Sequence, residues 1–291
     1  MRLTVKPVHR MTAPPPLAFM RTVAAKLTLI TLALVLLACA GPFVGHPAAY
    51  HAFADHRAFL GIPFTMDVLS NLPFALGGLV GLWLAWPCAA RAARVFAASR
   101  AQGAQALVFF SGLVLTAGCS AWYHLNPSDA GLAVDRYGMV VAFAGLLGLA
   151  AGGRAGPRAG ALLTVLVLAL GPLTVAAWSL TGNVTPWLVV QLGGLLVILW
   201  LASLAPVDGA LHVRWFLVVA VYVLAKCLEL GDHLVYDMTG QLVSGHSLKH
   251  VVASLAAWPV MNALLQRRVN TCGVLGSPDI KAGQNRTVTG R

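Results

Sequence analysis

Charge is what this chain has least of. Asp, Glu, Lys and Arg together make up 10% of its 291 residues, where a soluble domain carries about 25%, and this excludes an ordinary water-soluble fold. Acids are the scarcer sign, nine against twenty Lys and Arg. The five cysteines (Cys39, Cys88, Cys119, Cys227, Cys272) are far apart and form no C-x-x-C pair, so neither a thiolate metal site nor a disulfide framework is expected. What is present is apolar: 58% of the residues are hydrophobic. The chain therefore reads as an all-α, multi-pass integral membrane protein. A formal net charge of +11 would suggest nucleic acid as the partner of a soluble protein. In a membrane chain it is the Lys and Arg excess of cytoplasmic loops, so no nucleic-acid partner is expected, and no soluble partner domain is evident.

Residues 1–23 hold Arg2, Lys6, Arg10 and Arg21 with the run Pro14-Pro15-Pro16, a composition that resists regular packing and reads as a basic cytoplasmic tail. Residues 24–43 form a first apolar run near the roughly 20 residues that span a bilayer. Its end, Leu36-Leu37-Ala38-Cys39-Ala40, also resembles a signal-cleavage region or a loose lipobox. A retained helix is the favoured reading, because the run and the basic region before it are both long. After an outer loop, 44–67, seven further runs lie at 68–87, 105–124, 134–152, 160–179, 186–204, 213–230 and 246–264, and a second basic tail covers 265–291. The expected architecture is a seven-transmembrane-helix bundle, 68–264, with one extra N-terminal hydrophobic helix. Small-residue spacings such as Gly77 to Gly81 and Gly145 to Gly148 suit close helix packing.

With the N-terminus cytoplasmic, sixteen of the twenty basic residues fall on the inner side, leaving only Arg57, Arg136, Lys226 and Lys249 outside. This places both termini in the cytoplasm, as in a bacterial-type inner membrane. Seven of the nine acids (Asp55, Asp67, Asp129, Asp135, Glu229, Asp232, Asp237) gather on the opposite, outer side. Acids contribute little to topology, so their clustering at helix ends calls for a functional explanation.

Three outer helix ends carry unusual polarity. The run ending Cys119-Ser120-Ala121-Trp122-Tyr123-His124 puts Ser120 one turn from His124 on the same face. The next run opens with Asp135-Arg136. The last opens Gly245-His246-Ser247-Leu248-Lys249-His250, where His246 and His250 share a helical face. Three neutral imidazoles with an open position match catalytic zinc (Zn2+), whose bound water ionises near about pH 7. Asp135 suits a general base or a carboxylate orienting a histidine, and Ser120 suits a donor to an oxyanion. Each residue also has a plainer reading. His124 can sit in the interfacial zone with Trp122 and Tyr123, Asp135 can pair with Arg136 or cap its helix, and Ser120 can bond its own backbone. Lys226 and Glu229, three apart, can pair on one helical face, with Glu229 or Asp232 behind a ligating histidine. His46, His51 and His56 read as loop residues.

In order and spacing, Ser120-x-x-x-His124, Asp135 and His246-x-x-x-His250, with Ser70-Asn71 ahead of them, the chain resembles the alkaline ceramidase family, within the superfamily of membrane hydrolases related to adiponectin-type receptors. The resemblance covers about residues 65–264. It implies a zinc amide hydrolase acting on ceramide or a related membrane lipid, with His124, His246 and His250 as ligands, Asp135 acting on the bound water and Ser120 steadying the site. The calcium site of eukaryotic members is acidic and contains Trp; 55–67 has two acids and no Trp, so no calcium is expected there. Lys249 stands where ceramidases usually have Trp, which leaves another lipid amide or an ester open as substrate. Beside a ligand, Lys249 is expected to face away from the metal, toward the interface or toward Asp232 or Asp237. The competing class is a receptor-like or transport protein in which the same cluster holds a structural metal or conducts ions.

Overall fold

The computed structural model describes residues 17–47, 49–91 and 97–275. The expectations for 1–16, Arg94 and 276–291 lie outside the described residues. Among those described, the chain is helical: α1 (Leu17–Ala40), α2 (Thr65–Leu69), α3 (Leu72–Arg91), α4 (Ala97–Leu125), α5 (Asp129–Ala155), α6 (Pro157–Thr181), α7 (Thr185–Leu188), α8 (Gly194–Ala202), α9 (Trp215–Leu230), α10 (Asp232–Met238), α11 (Gly245–Ser254) and α12 (Ala257–Leu275). Among the described residues, seven segments are long and apolar enough to cross a membrane: α1, α2–α3, α4, α5, α6, α7–α8 and α11–α12. The chain is an all-α membrane bundle.

Two boundaries differ from the sequence reading. The first helix begins at Leu17 rather than at residue 24, because Leu17, Phe19 and Met20 extend the apolar run as soon as the proline run ends. The run at 213–230 forms α9, which has 16 residues and at about 24 Å is short for a bilayer crossing. Of the eight expected spans, it is the one that falls below spanning length. A further feature lies between α7 and α8, where Val189–Gly193 forms a π-helical turn, a form that collects at functional sites.

The centre of the bundle is α4 against α5, with α3 and α6 on either flank. Side-chain-free surfaces make this contact possible: a Cβ on Gly112 would stand 2.1 Å from the backbone nitrogen of Ala142, and one on Gly145 would stand 2.1 Å from that of Phe109. Helix axes can approach this closely only where one surface is bare. Lipid-type side chains such as Leu29, Leu32, Leu36, Leu162 and Leu173 point outward and are exposed, as a bilayer-facing wall requires. Short connections at 126–128 and 182–184 bring the end of α4, the start of α5, the end of α6 and the start of α7 to one end of the bundle. The N-terminus of α11 and the end of α9 join them there.

Residues 41–47 and 49–64 close over that end. Phe53 is buried; the Ala54 amide donates to Asp232 Oδ2 at 2.9 Å, and Arg57 binds Asp55 through Nε (2.8 Å) and Nη2 (2.6 Å) while Nη2 also donates to the Leu242 carbonyl at 2.8 Å. Burial pushes the Asp55 carboxyl up, but the hydrogen bonds and charge of Arg57 outweigh it and hold Asp55 below its ordinary value of 3.8. A depressed folded value stabilises the loop above pH 3.8, and that contribution is lost as the pH falls through the folded value. Asp55→Asn should therefore lower thermal stability in detergent at pH 7, by roughly 1–3 kcal/mol. The gap from wild type should shrink in melts run below about pH 3.8; a gap independent of pH would contradict the ion-pair account.

Candidate metal centre

The last turn of α4 carries His124, and α11 carries His246 and His250 on one face. Each is buried. One ring nitrogen from each lies within 4.8 Å of the others, with His246 Nε2 3.3 Å from His124 Nε2. Two nitrogens that close cannot both present bare lone pairs; a proton or a cation must lie between them. Nitrogens bound at 2.0–2.1 Å to one tetrahedral ion stand about 3.3–3.4 Å apart, so the observed separation fits a shared metal. Gly245 makes the approach possible. Its Cβ position is 2.3 Å from the Leu228 carbonyl and 2.8 Å from Asp232 Cα, leaving no room for a side chain where α11 enters against α9 and α10.

The histidines are held from behind. Ser70 Oγ lies 3.0 Å from the Asp67 carbonyl, which accepts its proton, and 2.8 Å from His250 Nδ1. Because the hydroxyl proton is committed to the carbonyl, Ser70 Oγ must accept from His250 Nδ1–H. That fixes the tautomer and leaves the Nε2 lone pair free, and His250 Nε2 is buried without a partner. The first turn of α11 is pinned in parallel. Ser244 caps it by accepting the Ser247 amide (3.0 Å), Ser247 Oγ donates to Asp67 Oδ1 (2.6 Å), and Asp232 Oδ1 accepts the His246 amide (2.7 Å). Asp67, in the short α2, thus steadies both turns of the histidine pair. Sequence reasoning misses this role, although an acid opening an apolar run is a visible signal. The break between α2 and α3, at Ser70 and Asn71 just ahead of Pro73, lets the chain turn there.

Ser120 and Asp135 join the same site. Both line a cavity of about 70 Å3 that His246 and His250 also line. Asp135 Oδ1 there is buried without a partner among the described residues. Asp135 is not the cap of its helix: α5 begins six residues earlier, where Ser128 accepts the Gly131 amide. Nor is Arg136 its ion-pair partner among the described residues. The guanidinium turns to aromatic faces, Trp178 at 3.9 Å, Trp187 at 5.5 Å and Tyr50 at 5.7 Å.

Lys249 overturns an expectation. Instead of facing away, it turns into the cavity, with Nζ 3.0 Å from His246 Nε2 and 3.2 Å from Glu229 Oε1. The step of about 100° per residue sets where a side chain leaves the helix, but four methylenes carry the amine back. Glu229 draws it there, and the same carboxylate binds Lys226. The pairing of Lys226 with Glu229 is the expected one; its extension to Lys249 is not. His46 and His51 are also more than loop residues. His51 Nδ1 stands 2.7 Å from the Tyr123 hydroxyl and Nε2 3.1 Å from Asp129 Oδ1, while His46 packs at 5.1 Å on Trp178. Phe53 from the same loop, itself buried, sits 4.8 Å from the His124 ring and 4.5 Å from the His246 ring.

No family model matches the chain, and no curated protein matches it. The centre therefore stands on its geometry: three buried histidines close enough to hold a metal ion. A cation 3.0 Å from one ligand nitrogen opposes a second cation there, so Lys249→Met should tighten divalent-metal binding by about tenfold or more. His250→Ala should abolish it. Metal titration of both variants by calorimetry checks this, and weaker binding by Lys249→Met would show that the amine supports the ion rather than competing with it.

Proposed function

We propose that the chain is a zinc-dependent membrane hydrolase that cleaves the amide bond of a ceramide-like N-acyl lipid. The observation that carries this reading is that one buried cavity collects two of the three histidines together with an unpartnered carboxylate oxygen and a serine. A structural metal would need the histidines alone. Zinc held by His124, His246 and His250 would supply a Lewis acid that polarises a carbonyl and makes water acidic near neutral pH.

The chain's own residues divide the remaining work. Asp135 Oδ1, with no hydrogen bond to give up, takes the proton from water as general base and returns it to the leaving amine. Ser120, on the wall of the same cavity, donates to the developing oxyanion. Ser70 and the Asp67 carbonyl keep His250 in its ligating tautomer, and Phe53 keeps bulk water from the cluster. Acyl chains fit between helices. A separate apolar cavity of about 540 Å3, lined from α1, α5, α6, α7 and α8, lies across the π-helical turn from the site, with Pro186, Val189 and Val190 facing it and Trp187 and Gln191 facing the site. The charge bias argues for a cytoplasmic N-terminus with the site at the outer face.

The Lys226–Glu229–Lys249 array favours a second reading, a non-enzymatic receptor-like or transport protein, since charged chains inside a bundle also mark ion paths. Metal analysis and ceramide hydrolysis on purified protein separate the two. Wild type should carry zinc and release fatty acid, His250→Ala should lose both, and Asp135→Asn should keep the metal while losing about 100- to 10,000-fold in rate. Bound zinc without hydrolysis of ceramide or any other N-acyl lipid would transfer the site to the second reading.

A further inference from the structure

The site cavity has polar groups that the hydrolytic scheme leaves idle. Arg136 is 3% exposed, and its Nη1 is buried with no hydrogen-bond partner. Aromatic rings cover the guanidinium, Trp178 nearest at 3.9 Å, and contacts of that kind satisfy the faces of the plane but not Nη1 on its edge. The Tyr222 hydroxyl, on the wall of the same cavity, is likewise buried and unpartnered. Charge is also unbalanced there. Arg136, Lys226 and Lys249 line the cavity with only Asp135 and Glu229 against them, and Glu229 is already shared by both lysines. A buried guanidinium with no carboxylate bound to it among the described residues costs several kcal/mol, so a fold that keeps one has a use for its unpartnered Nη1.

We propose that Arg136 and Tyr222 form a subsite for a carboxylate on the amine side of the substrate, so that the lipid acted on best is an acidic N-acyl amide, of the N-acyl amino acid class, in preference to neutral ceramide. A guanidinium N–H donates strongly to a carboxylate oxygen, and the phenol adds a second donor on the wall of the same cavity. About 70 Å3 holds a carboxylate more readily than a phosphate with its ester. One negative charge cancels the surplus of the five charged groups. The subsite itself stands on these contacts; only the naming of its ligand as substrate rests on the hydrolase reading.

Binding tests it without relying on turnover. Affinities of purified, full-length protein for N-oleoylglycine, N-oleoylethanolamine and oleate are measured by calorimetry in detergent. Wild type should bind N-oleoylglycine at least about tenfold tighter than the neutral amide. Arg136→Gln and Tyr222→Phe should erode that ratio with little change for N-oleoylethanolamine, and Arg136→Lys should retain part of it. Equal affinity of wild type for the two amides overturns the subsite, and this outcome needs no variant to fold. A ratio unchanged in folded Arg136→Gln overturns it as well. So does oleate binding as tightly as N-oleoylglycine with the same dependence on Arg136, which would give the subsite to free fatty acid. Tight, Arg136-dependent binding without hydrolysis of either amide would support the subsite and remove the hydrolase reading; equal binding with equal hydrolysis would do the reverse.

Discussion

The approach of His124 to His246, Nε2 to Nε2 at 3.3 Å inside an apolar bundle, is the constraint on which the rest of this end of the molecule depends. Imidazoles cannot be buried at that distance unless their protons and lone pairs are assigned, and water is not at hand to adjust them. The surrounding architecture makes the assignment. Ser70 and the Asp67 carbonyl set His250, Asp232 takes the amide of His246, and Ser244 with Ser247 ties α11 to the Asp67 carboxylate. Gly245 gives up its side chain so that α11 can enter at all. Residues 49–64 then pack on the cluster through Phe53 and are themselves locked by Asp55, Arg57 and the Ala54 amide.

Charge is arranged on the same principle. Lys226, Glu229 and Lys249 form a chain in which one carboxylate serves two ammonium groups, and the second of these reaches His246. Any ion at the histidines therefore meets a positive neighbour. Asp135 and Ser120 face the same small cavity from α5 and α4, so the centre combines acid, base and cation within a few side chains. An array this concentrated is costly in an apolar bundle, and the cost is the physical ground for reading it as functional.

Much of this is legible in the sequence, for reasons that differ by feature. Membrane character follows from apolar run length, which is a local property, and His246 with His250 follows from helical periodicity. The meeting of His124 with that pair follows from helix ends at matching depth; the closeness of the three rings is a tertiary fact that charge bias and run boundaries happen to encode. Lys249 defeats the sequence reading because helical phase fixes Cβ and not the end of a long chain, and because its partner Glu229 lies on another helix. Asp67 escapes it because its partners, Ser244 and Ser247, are 177 and 180 residues away. The shortness of α9 and the π-helical turn at Val189–Gly193 have no signature in hydrophobic periodicity.

The central claim is that three histidines from α4 and α11 form one metal centre. X-ray absorption at the zinc edge of protein purified without chelator tests it most directly. The account predicts a first shell of about three imidazole nitrogens at roughly 2.0–2.1 Å, lost in His250→Ala. Protein that carries no zinc, or zinc whose first shell contains no imidazole, would contradict it.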